Sequence, residues 1–260
     1  MPTRAHNHRH FNRFAYVGIS APWGTLTTGR LGGVQYDYTI LGGYDPAYGS
    51  TMGFGSLNAI PIQILKIANS VKYTTPSYAG ISSSVMYSIG QELPGNTNAG
   101  RYVGAVLAYA KDDFKTRITY ERTNGTVATA DLSKEVDNRF SAAARYTLGQ
   151  WELYASYVKV GGDLALSPKG KIYIGSVGYN WTPVIHLVAQ VGQYNLQAGD
   201  HVRFASIMST YNLSRRTLLY ATAARMLNAA STNFAIVYPN VTSMNGQDQS
   251  TFAIGVRHAF

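Results

Sequence analysis

The sequence contains no cysteine and few charged residues, and each of these deficits excludes a class of protein. Without cysteine the chain cannot hold a disulfide framework or a thiolate metal site. Charged residues make up 13% of the chain, whereas soluble domains carry about 25%. No run of roughly 18 apolar residues is present, which excludes a transmembrane helix. A chain of this kind can cross a bilayer only as a closed β-barrel, because barrels satisfy every backbone hydrogen bond between strands.

Alternation of apolar and polar residues is the main pattern that the sequence does contain, together with 20 tyrosines and 26 glycines. Ile118 and Tyr120 fall on one face of an extended strand, and Lys115 and Arg117 fall on the other. Comparable runs recur along the chain at about 10 residues each, the length that a tilted strand needs to cross a bilayer. The pattern predicts strands with one face toward lipid and the other toward water.

The links between these runs alternate in length, as the short periplasmic turns and longer outer loops of a barrel do. Tight links fall at 21–24, 76–80, 111–113, 149–150, 182–183 and 213–215. Longer polar links fall at 91–100, 124–136, 161–170, 194–200 and 227–247. We therefore predict an all-β fold, a transmembrane antiparallel β-barrel of about 13 strands. The predicted strands are 14–20, 24–30, 69–75, 80–89, 101–110, 113–123, 137–147, 150–160, 171–181, 184–193, 201–212, 216–226 and 248–260.

One connection, at 31–68, is much longer than the others, and loops of that length are usually functional or disordered. It contains Asp37, the Asp45-Pro46 step and an apolar stretch at 60–65. An apolar segment in a barrel loop needs a surface to cover, and the inner wall of the barrel supplies one. We therefore expect this loop to fold into the lumen.

Several segments carry a family resemblance in their order and spacing. They are the strand–turn–strand at 12–30, the Asp45-Pro46 step, the segment at 69–76, the turn at 213–217 and the terminus at 255–260. Together they resemble the Gram-negative porin family typified by the general porins of Neisseria and Burkholderia-type bacteria. The resemblance implies a disordered segment at 1–11 and a porin β-barrel domain at 12–260, whose loop at 31–68 narrows the pore.

The resemblance also implies a function and a location. It implies an outer-membrane porin through which small hydrophilic solutes pass by diffusion. The porin is expected to be a homotrimer that is surrounded by lipid and lipopolysaccharide and is inserted by the outer-membrane assembly machinery. The family usually has sixteen strands, so the chain is expected to lack the first three strands and the signal peptide. The alternative is a non-conducting truncated porin fragment or pseudogene product. The location implied is the cell outer membrane, although the first ten residues have no apolar stretch of the signal-peptide kind.

Two sources assign pore-lining residues. Alternation alone places Lys115, Arg117, Arg139 and Arg145 on lumen-facing polar faces. The resemblance adds Arg30 as a lumen-facing base at the root of the loop, Arg13 on the preceding strand, and Asp37 and Asp45 as acidic partners on the loop. The alternative for Arg30 is a structural tie that holds the loop. A lumen with net positive charge predicts mild anion preference.

The last strand carries a second set of candidates. Phe252, Ile254, Val256, His258 and Phe260 alternate onto one face and end on an aromatic residue. This arrangement resembles the signal that the outer-membrane assembly machinery reads. The alternative is an ordinary last strand.

Other functional classes find little support in the sequence. Asp200-His201 is the nearest thing to a catalytic pair, but no nucleophile, phosphate-loop, dinucleotide or zinc-protease motif accompanies it, so no enzyme activity or cofactor is expected. His6, His8 and His10 are spaced for a metal but lack acidic or cysteine partners, so no metal site is predicted. The net charge of +9 comes from bases scattered singly along strands, unlike the clusters of nucleic-acid binders.

Overall fold

The computed structural model describes residues 14–37, 43–44, 46, 57–58, 66–164, 168–236 and 244–259. Arg13, Asp45, Phe260 and the predicted segment at 1–11 lie outside the described residues. Within the described ranges the strands are β1 (Ala15–Ala21), β2 (Gly24–Leu31), β3 (Leu57–Asn58), β4 (Ile67–Thr74), β5 (Ile81–Ser88), β6 (Tyr102–Lys111), β7 (Phe114–Asn124), β8 (Val136–Leu148), β9 (Trp151–Gly162), β10 (Gly170–Asn180), β11 (Ile185–Leu196), β12 (His201–Asn212), β13 (Thr217–Asn228), β14 (Ala235–Ile236) and β15 (Gln249–His258).

Thirteen of these strands form one sheet in the order β1-β2-β4-β5-β6-β7-β8-β9-β10-β11-β12-β13-β15. Every neighbouring pair is antiparallel. The predicted antiparallel all-β fold and its 13 strands are confirmed. Because the count is odd, β1 and β15 run in the same direction. Among the described residues neither strand pairs with a further strand along its free edge.

The connections alternate as predicted, with one difference in length. Short turns join β1 to β2, β6 to β7 and β8 to β9, whereas long loops follow β2, β5, β7 and β13. The predicted link at 194–200 is shorter, because β11 continues to Leu196 and leaves only four residues before His201. In the part of the chain that the structure describes, no helix has the length and apolarity to cross a membrane.

Burial separates the two faces of the sheet. In β7, Glu121 is 1% exposed while its neighbour Tyr120 is 44% exposed. In β8, Arg139 is 3% exposed and Phe140 is 36% exposed. The inner face of these two strands is thus polar and the outer face apolar, as a strand between lipid and a wet lumen requires.

The inner face of β9 to β12 departs from that pattern near the loop end of the sheet. Val158, Ile172, Tyr194 and Val202 point inward there and are buried, together with Tyr36 from the loop at 31–68. Simple alternation of polar-in and apolar-out predicted none of this inner apolar cluster. An inner apolar surface is kept from water only when another segment of the chain covers it. Tyr36 of the loop supplies part of that cover.

A backbone irregularity marks the root of the loop. The register between β2 and β4 shifts between Gly29 and Leu31, and Gly29 has a φ of +129°. A Cβ at Gly29 would lie 2.3 Å from the carbonyl oxygen of Ala15, so only glycine fits this approach. Beyond the irregularity Leu31 turns inward and packs with Val34 against the inner wall.

Two short strands were not predicted. β3, inside the long loop, pairs with β14, inside the connection between β13 and β15. Two-residue strands are too short to show alternation, so their pairing leaves no periodic signal in the sequence.

Candidate lumen constriction

The long loop is fixed to the barrel wall by buried hydrogen bonds at its first turn. The backbone N–H of Val34 donates to the hydroxyl of Tyr102 at 2.9 Å, and that hydroxyl donates to Oε2 of Glu121 at 2.8 Å. The backbone N–H of Gln35 donates to the same carboxylate oxygen at 3.4 Å. We call Val34, Gln35, Tyr102 and Glu121 the loop anchor. Since its members are almost fully buried, each lost partner leaves a polar group unsatisfied.

Arg139 supports the loop anchor from the neighbouring strand. Its Nη1 lies 3.6 Å from Oε1 of Glu121, and its Nε lies 2.7 Å from Oδ1 of Asp137. All three side chains are at most 3% exposed. Arg139 therefore faces inward as predicted, but it neutralises wall carboxylates and is shielded from solutes.

An ion pair also joins the loop to β4. Nζ of Lys72, on the inner face of β4, lies 2.9 Å from Oδ2 of Asp37. The two side chains are 17% and 23% exposed. Asp37 is thus an acidic loop residue facing a basic wall, although its base is Lys72, which the sequence analysis did not name.

The middle of the loop meets the predicted basic wall. The guanidinium carbon of Arg117 lies 4.8 Å from the centre of the Tyr44 ring, close enough for a cation–π contact. A Cβ at Gly43 would lie 3.8 Å from Nη1 of Arg145. Burial raises the pKa of the Tyr44 hydroxyl, while the neighbouring Arg117 opposes that rise. Gly43 and Tyr44 of the loop therefore lie against the face of β7 and β8 that carries Arg117 and Arg145.

Beside this contact the wall forms a mixed ionic group. Nη2 of Arg145 lies 2.7 Å from Oε1 of Glu152, and the Tyr154 hydroxyl donates to Oε2 at 2.6 Å. Nε2 of His186 lies 3.6 Å from the same Oε2. Lys115 pairs with Arg145 across β7 and β8, is exposed and has no described carboxylate within ion-pair distance. No three described His, Asp or Glu side chains are placed to hold a metal ion.

The structure does not bring Arg30 into this group. Arg30 pairs with Ala15 across β1 and β2, and cross-strand partners share a face. Gly29 and Leu31, on either side of it, belong to the inner face. The register therefore contradicts the expectation that Arg30 faces the lumen, because ordinary alternation between the inward Gly29 and Leu31 puts it on the outer face.

The comparison with known proteins decides the family. A profile described as Gram-negative porin matches residues 4–231 of the chain. The chain belongs to the Gram-negative porin family. This porin is accordingly an outer-membrane protein, and its barrel prediction is confirmed by solved structures.

Those structures cover almost the whole porin. The anion-selective porin from Comamonas acidovorans superimposes with a TM-score of 0.79, covering 96% of this chain and 78% of that one at 20% identity. OmpT of Vibrio cholerae gives a TM-score of 0.70 at 15% identity, covering 95% and 80% of the two chains. At these identities the likeness concerns the fold.

A curated relative matches over a shorter stretch. The major outer membrane protein P.IB of Neisseria meningitidis serogroup B is 32% identical over 91 residues, which is 35% of this chain. The match spans about a quarter, 24%, of that relative's length.

The last strand of the porin has the predicted alternation. Phe252, Ile254 and Val256 are 70%, 71% and 64% exposed on the outer face. Nδ1 of His258 lies 2.8 Å from the Thr217 hydroxyl.

The sequence analysis did not identify the buried or half-buried side chains that bind the loop or pair with the wall arginines. Tyr102, Glu121, Glu152 and His186 lie on predicted strands, and alternation alone placed Glu121 on the polar face. No sequence signal gave their partners, because the contacts join positions that lie far apart in the chain.

Proposed function

We propose that this porin forms a water-filled channel for passive diffusion of small hydrophilic solutes and ions, with mild anion preference. The supporting observation is that Gly43 and Tyr44 of the loop lie against an inner face that carries basic side chains. Lys115, Arg117 and Arg145 give three positive charges there and Glu152 gives one negative charge, a local net of +2. Charges lining a narrow pore select ions of opposite sign. Diffusion of this kind needs no catalytic group.

The residues that contact a passing anion are proposed to be Lys115 and Arg117. Lys115 is exposed on the inner face, and Arg117 lies beside Tyr44 where the loop meets the wall. Asp45, next to Tyr44 in sequence, and Arg13, before β1, remain proposed members of the same pore lining. Arg139 is proposed to act on the pore only through the loop anchor.

The experiment is a reversal-potential measurement in a planar bilayer under a salt gradient. We expect an anion-side potential for the wild type and a shift toward the cation side in the double variant Lys115→Gln, Arg117→Gln. Lys111→Gln is the matched control, because Lys111 lies on the same hairpin but pairs with the outward Phe114. A cation-selective wild type, or an equal shift in the control, contradicts the proposal.

The same recording tests the alternative reading, a non-conducting porin fragment. The observation that favours this alternative is that β1 and β15 have no neighbour on their free edges among the described residues. A protein that folds and inserts but gives no conductance steps supports the fragment. Steps of stable size support the channel.

We also propose that the porin assembles as a homotrimer and that Phe252, Ile254, Val256, His258 and Phe260 serve as its assembly signal. One of the solved structures that share the fold is a trimer form of Vibrio cholerae OmpT. The exposed apolar row of β15 supports recognition by an assembly factor. Deleting Phe260 should reduce insertion into outer membranes in cells while leaving refolding in detergent unchanged. Equal insertion of the deletion variant contradicts the signal.

A further inference from the structure

The connection between β13 and β15 carries apolar side chains that turn into the barrel. Phe234 and Ala235 are 5% and 4% exposed, although connecting segments usually run over the surface of a protein. The ring centre of Phe234 lies 5.6 Å from that of Tyr194, on β11, and both rings belong to the inner apolar cluster. This connection therefore covers part of the inner wall, as Tyr36 of the long loop does.

One side chain gives the connection this inward course. Asn228, the last residue of β13, pairs with Val202 across the sheet and shares its inner face. Its Oδ1 accepts hydrogen bonds from the Phe234 N–H at 3.0 Å and from the Thr232 hydroxyl at 3.1 Å. Its Nδ2 donates to the carbonyl oxygens of Phe234 and Gln247 at 2.9 and 2.8 Å. The amide of Asn228 thus uses both acceptor and both donor positions, and it fixes the backbone at Phe234.

The residues that follow Phe234 reach the long loop. β14 pairs antiparallel with β3, with Ala235 opposite Asn58. The loop anchor holds the first turn of the long loop, at Val34 and Gln35, whereas β3 lies much further along the same loop. The pairing therefore gives the later part of the long loop a support that comes from another connection of the barrel.

The connection is itself fixed to the rim of the sheet. The hydroxyl of Ser231 donates to Oδ2 of Asp200, in the link between β11 and β12. The N–H of Gly246 donates to the carbonyl oxygen of Thr232 at 2.9 Å, which joins the two sides of the connection, and Thr232 is 3% exposed. Because the base of the connection is fixed, its contact with β3 restrains the long loop.

We propose that Asn228 is a positioning residue of the pore, which holds Phe234 against the inner wall and β14 against β3, and so sets where β3 stands in the lumen. The constriction then depends on two connections, the long loop itself and the connection between β13 and β15. Asn228 acts in this role through β14 and β3, and not by contact with solutes. The expected effect on conductance rests on the proposed channel function, whereas the position of β3 does not.

The first test replaces Asn228 with alanine and follows hydrogen exchange of the detergent-folded porin by mass spectrometry. Losing the four hydrogen bonds of the amide should speed exchange of the β14 and β3 backbone amides about ten- to a hundredfold. Asn212→Ala is the matched control and should exchange as the wild type does, because Asn212 lies on the same inner face but at the short-turn end of β12. Faster exchange that is confined to residues 229–236 overturns the proposal, since Asn228 would then fold only its own connection. An equal rise in the control overturns it as well.

The second test restores the support by a disulfide. The chain contains no cysteine, so Asn58→Cys with Ala235→Cys introduces a single thiol pair. Facing residues of an antiparallel pair have Cα atoms about 4.5–5.5 Å apart, a spacing that a disulfide can bridge. Asn228→Ala alone should give single-channel steps of scattered size, because a loop without its support takes several positions. Closing the disulfide in the same chain should restore the wild-type step size, and reduction should remove it again.

A second thiol pair controls for the disulfide itself. Ala189→Cys with Ile207→Cys joins facing residues of β11 and β12 on the outer face, and it should leave the scattered steps of Asn228→Ala unchanged. Steps of wild-type size in Asn228→Ala, or scattered steps after the β3–β14 disulfide has closed, overturn the proposal. A wild type without any steps contradicts the channel function, and the exchange of β3 then decides the inference by itself.

Discussion

Replacing Tyr102 with phenylalanine tests whether the loop anchor holds the loop inside the lumen. The change removes one oxygen and keeps the ring, so the packing with Val34 and Met86 is retained. It breaks the bond from the Val34 N–H at 2.9 Å and the bond to Glu121 at 2.8 Å. The N–H of Val34 is then left in a buried place without its partner.

The magnitude follows from those two bonds. A buried N–H left unsatisfied costs about 1–3 kcal/mol, and a hydrogen bond to a charged group contributes about 1.5–3 kcal/mol. Glu121 keeps Arg139 and the Gln35 N–H, so we take about 2–4 kcal/mol for the loss of loop docking. Since each 1.4 kcal/mol is tenfold, the undocked population should rise roughly thirty- to several-hundred-fold.

Hydrogen exchange of the Val34 and Gln35 amides, followed by mass spectrometry, measures that population directly. Faster exchange at these amides and noisier single-channel current are expected for Tyr102→Phe. Tyr109→Phe is the matched control, because Tyr109 is on the same strand but pairs with the outward Thr116. If Tyr102→Phe exchanges at the wild-type rate, the hydroxyl does not hold the loop and the reasoning fails.

Three further predictions concern other contacts of the loop, the sheet and an outer connection. Lys72→Met removes the ion pair with Asp37 and should weaken loop docking by about 1 kcal/mol, a small effect because water screens this partly exposed pair. In the same hydrogen-exchange assay, Lys66→Met, a change at an exposed lysine, should have no effect. Gly29→Ala should lower the free energy of unfolding by about 1–3 kcal/mol through backbone strain, as measured in urea, whereas Gly175→Ala, with nothing within 4 Å of its Cβ, should have little effect. Hydrogen bonds from Ser133 lower the pKa of the Asp131 carboxyl below its usual 3.8. The hydrogen bonds between Ser133 and Asp131 should therefore persist at neutral pH and weaken only as the pH falls through the lowered pKa of Asp131. The amide NMR shift of Ser133 should titrate there, and a midpoint above 3.8 would contradict the assignment.

The strands could be predicted because a barrel wall repeats one physical constraint. Each strand separates lipid from the interior, so its residues alternate, and the tight turns leave Gly, Pro and Asp signals. This reasoning placed Lys115, Arg117, Arg139 and Arg145 on the inner face. It could not say that Arg139 is buried among carboxylates while Lys115 is exposed, because alternation gives the face of a residue and not its depth or its partner.

The resemblance and alternation disagree at Arg30. The resemblance implied a lumen-facing base, whereas alternation between the inward Gly29 and Leu31 puts Arg30 outside, as the register shows. Alternation itself failed where the surroundings of a strand changed. In β9 and β10 the polarity inverts near the loops, with Val160 and Ile172 inside and Lys159 and Lys171 outside. The sequence contains this inversion, but its meaning depends on knowing that the loop covers the inner face.

The two sets of bases should act independently, because the sheet wall separates them. Lys115 and Arg117 face the interior, whereas Lys159 and Lys171 face outward near the loops. Charges in water further apart than about 10 Å are largely screened at 0.1 M salt. Neutralising the inner pair, Lys115 and Arg117, should therefore shift the reversal potential, whereas neutralising the outer pair, Lys159 and Lys171, should leave it unchanged. If the outer double variant shifts the reversal potential as much as the inner one, the wall does not separate the two sets, and the proposed pore lining loses its structural basis.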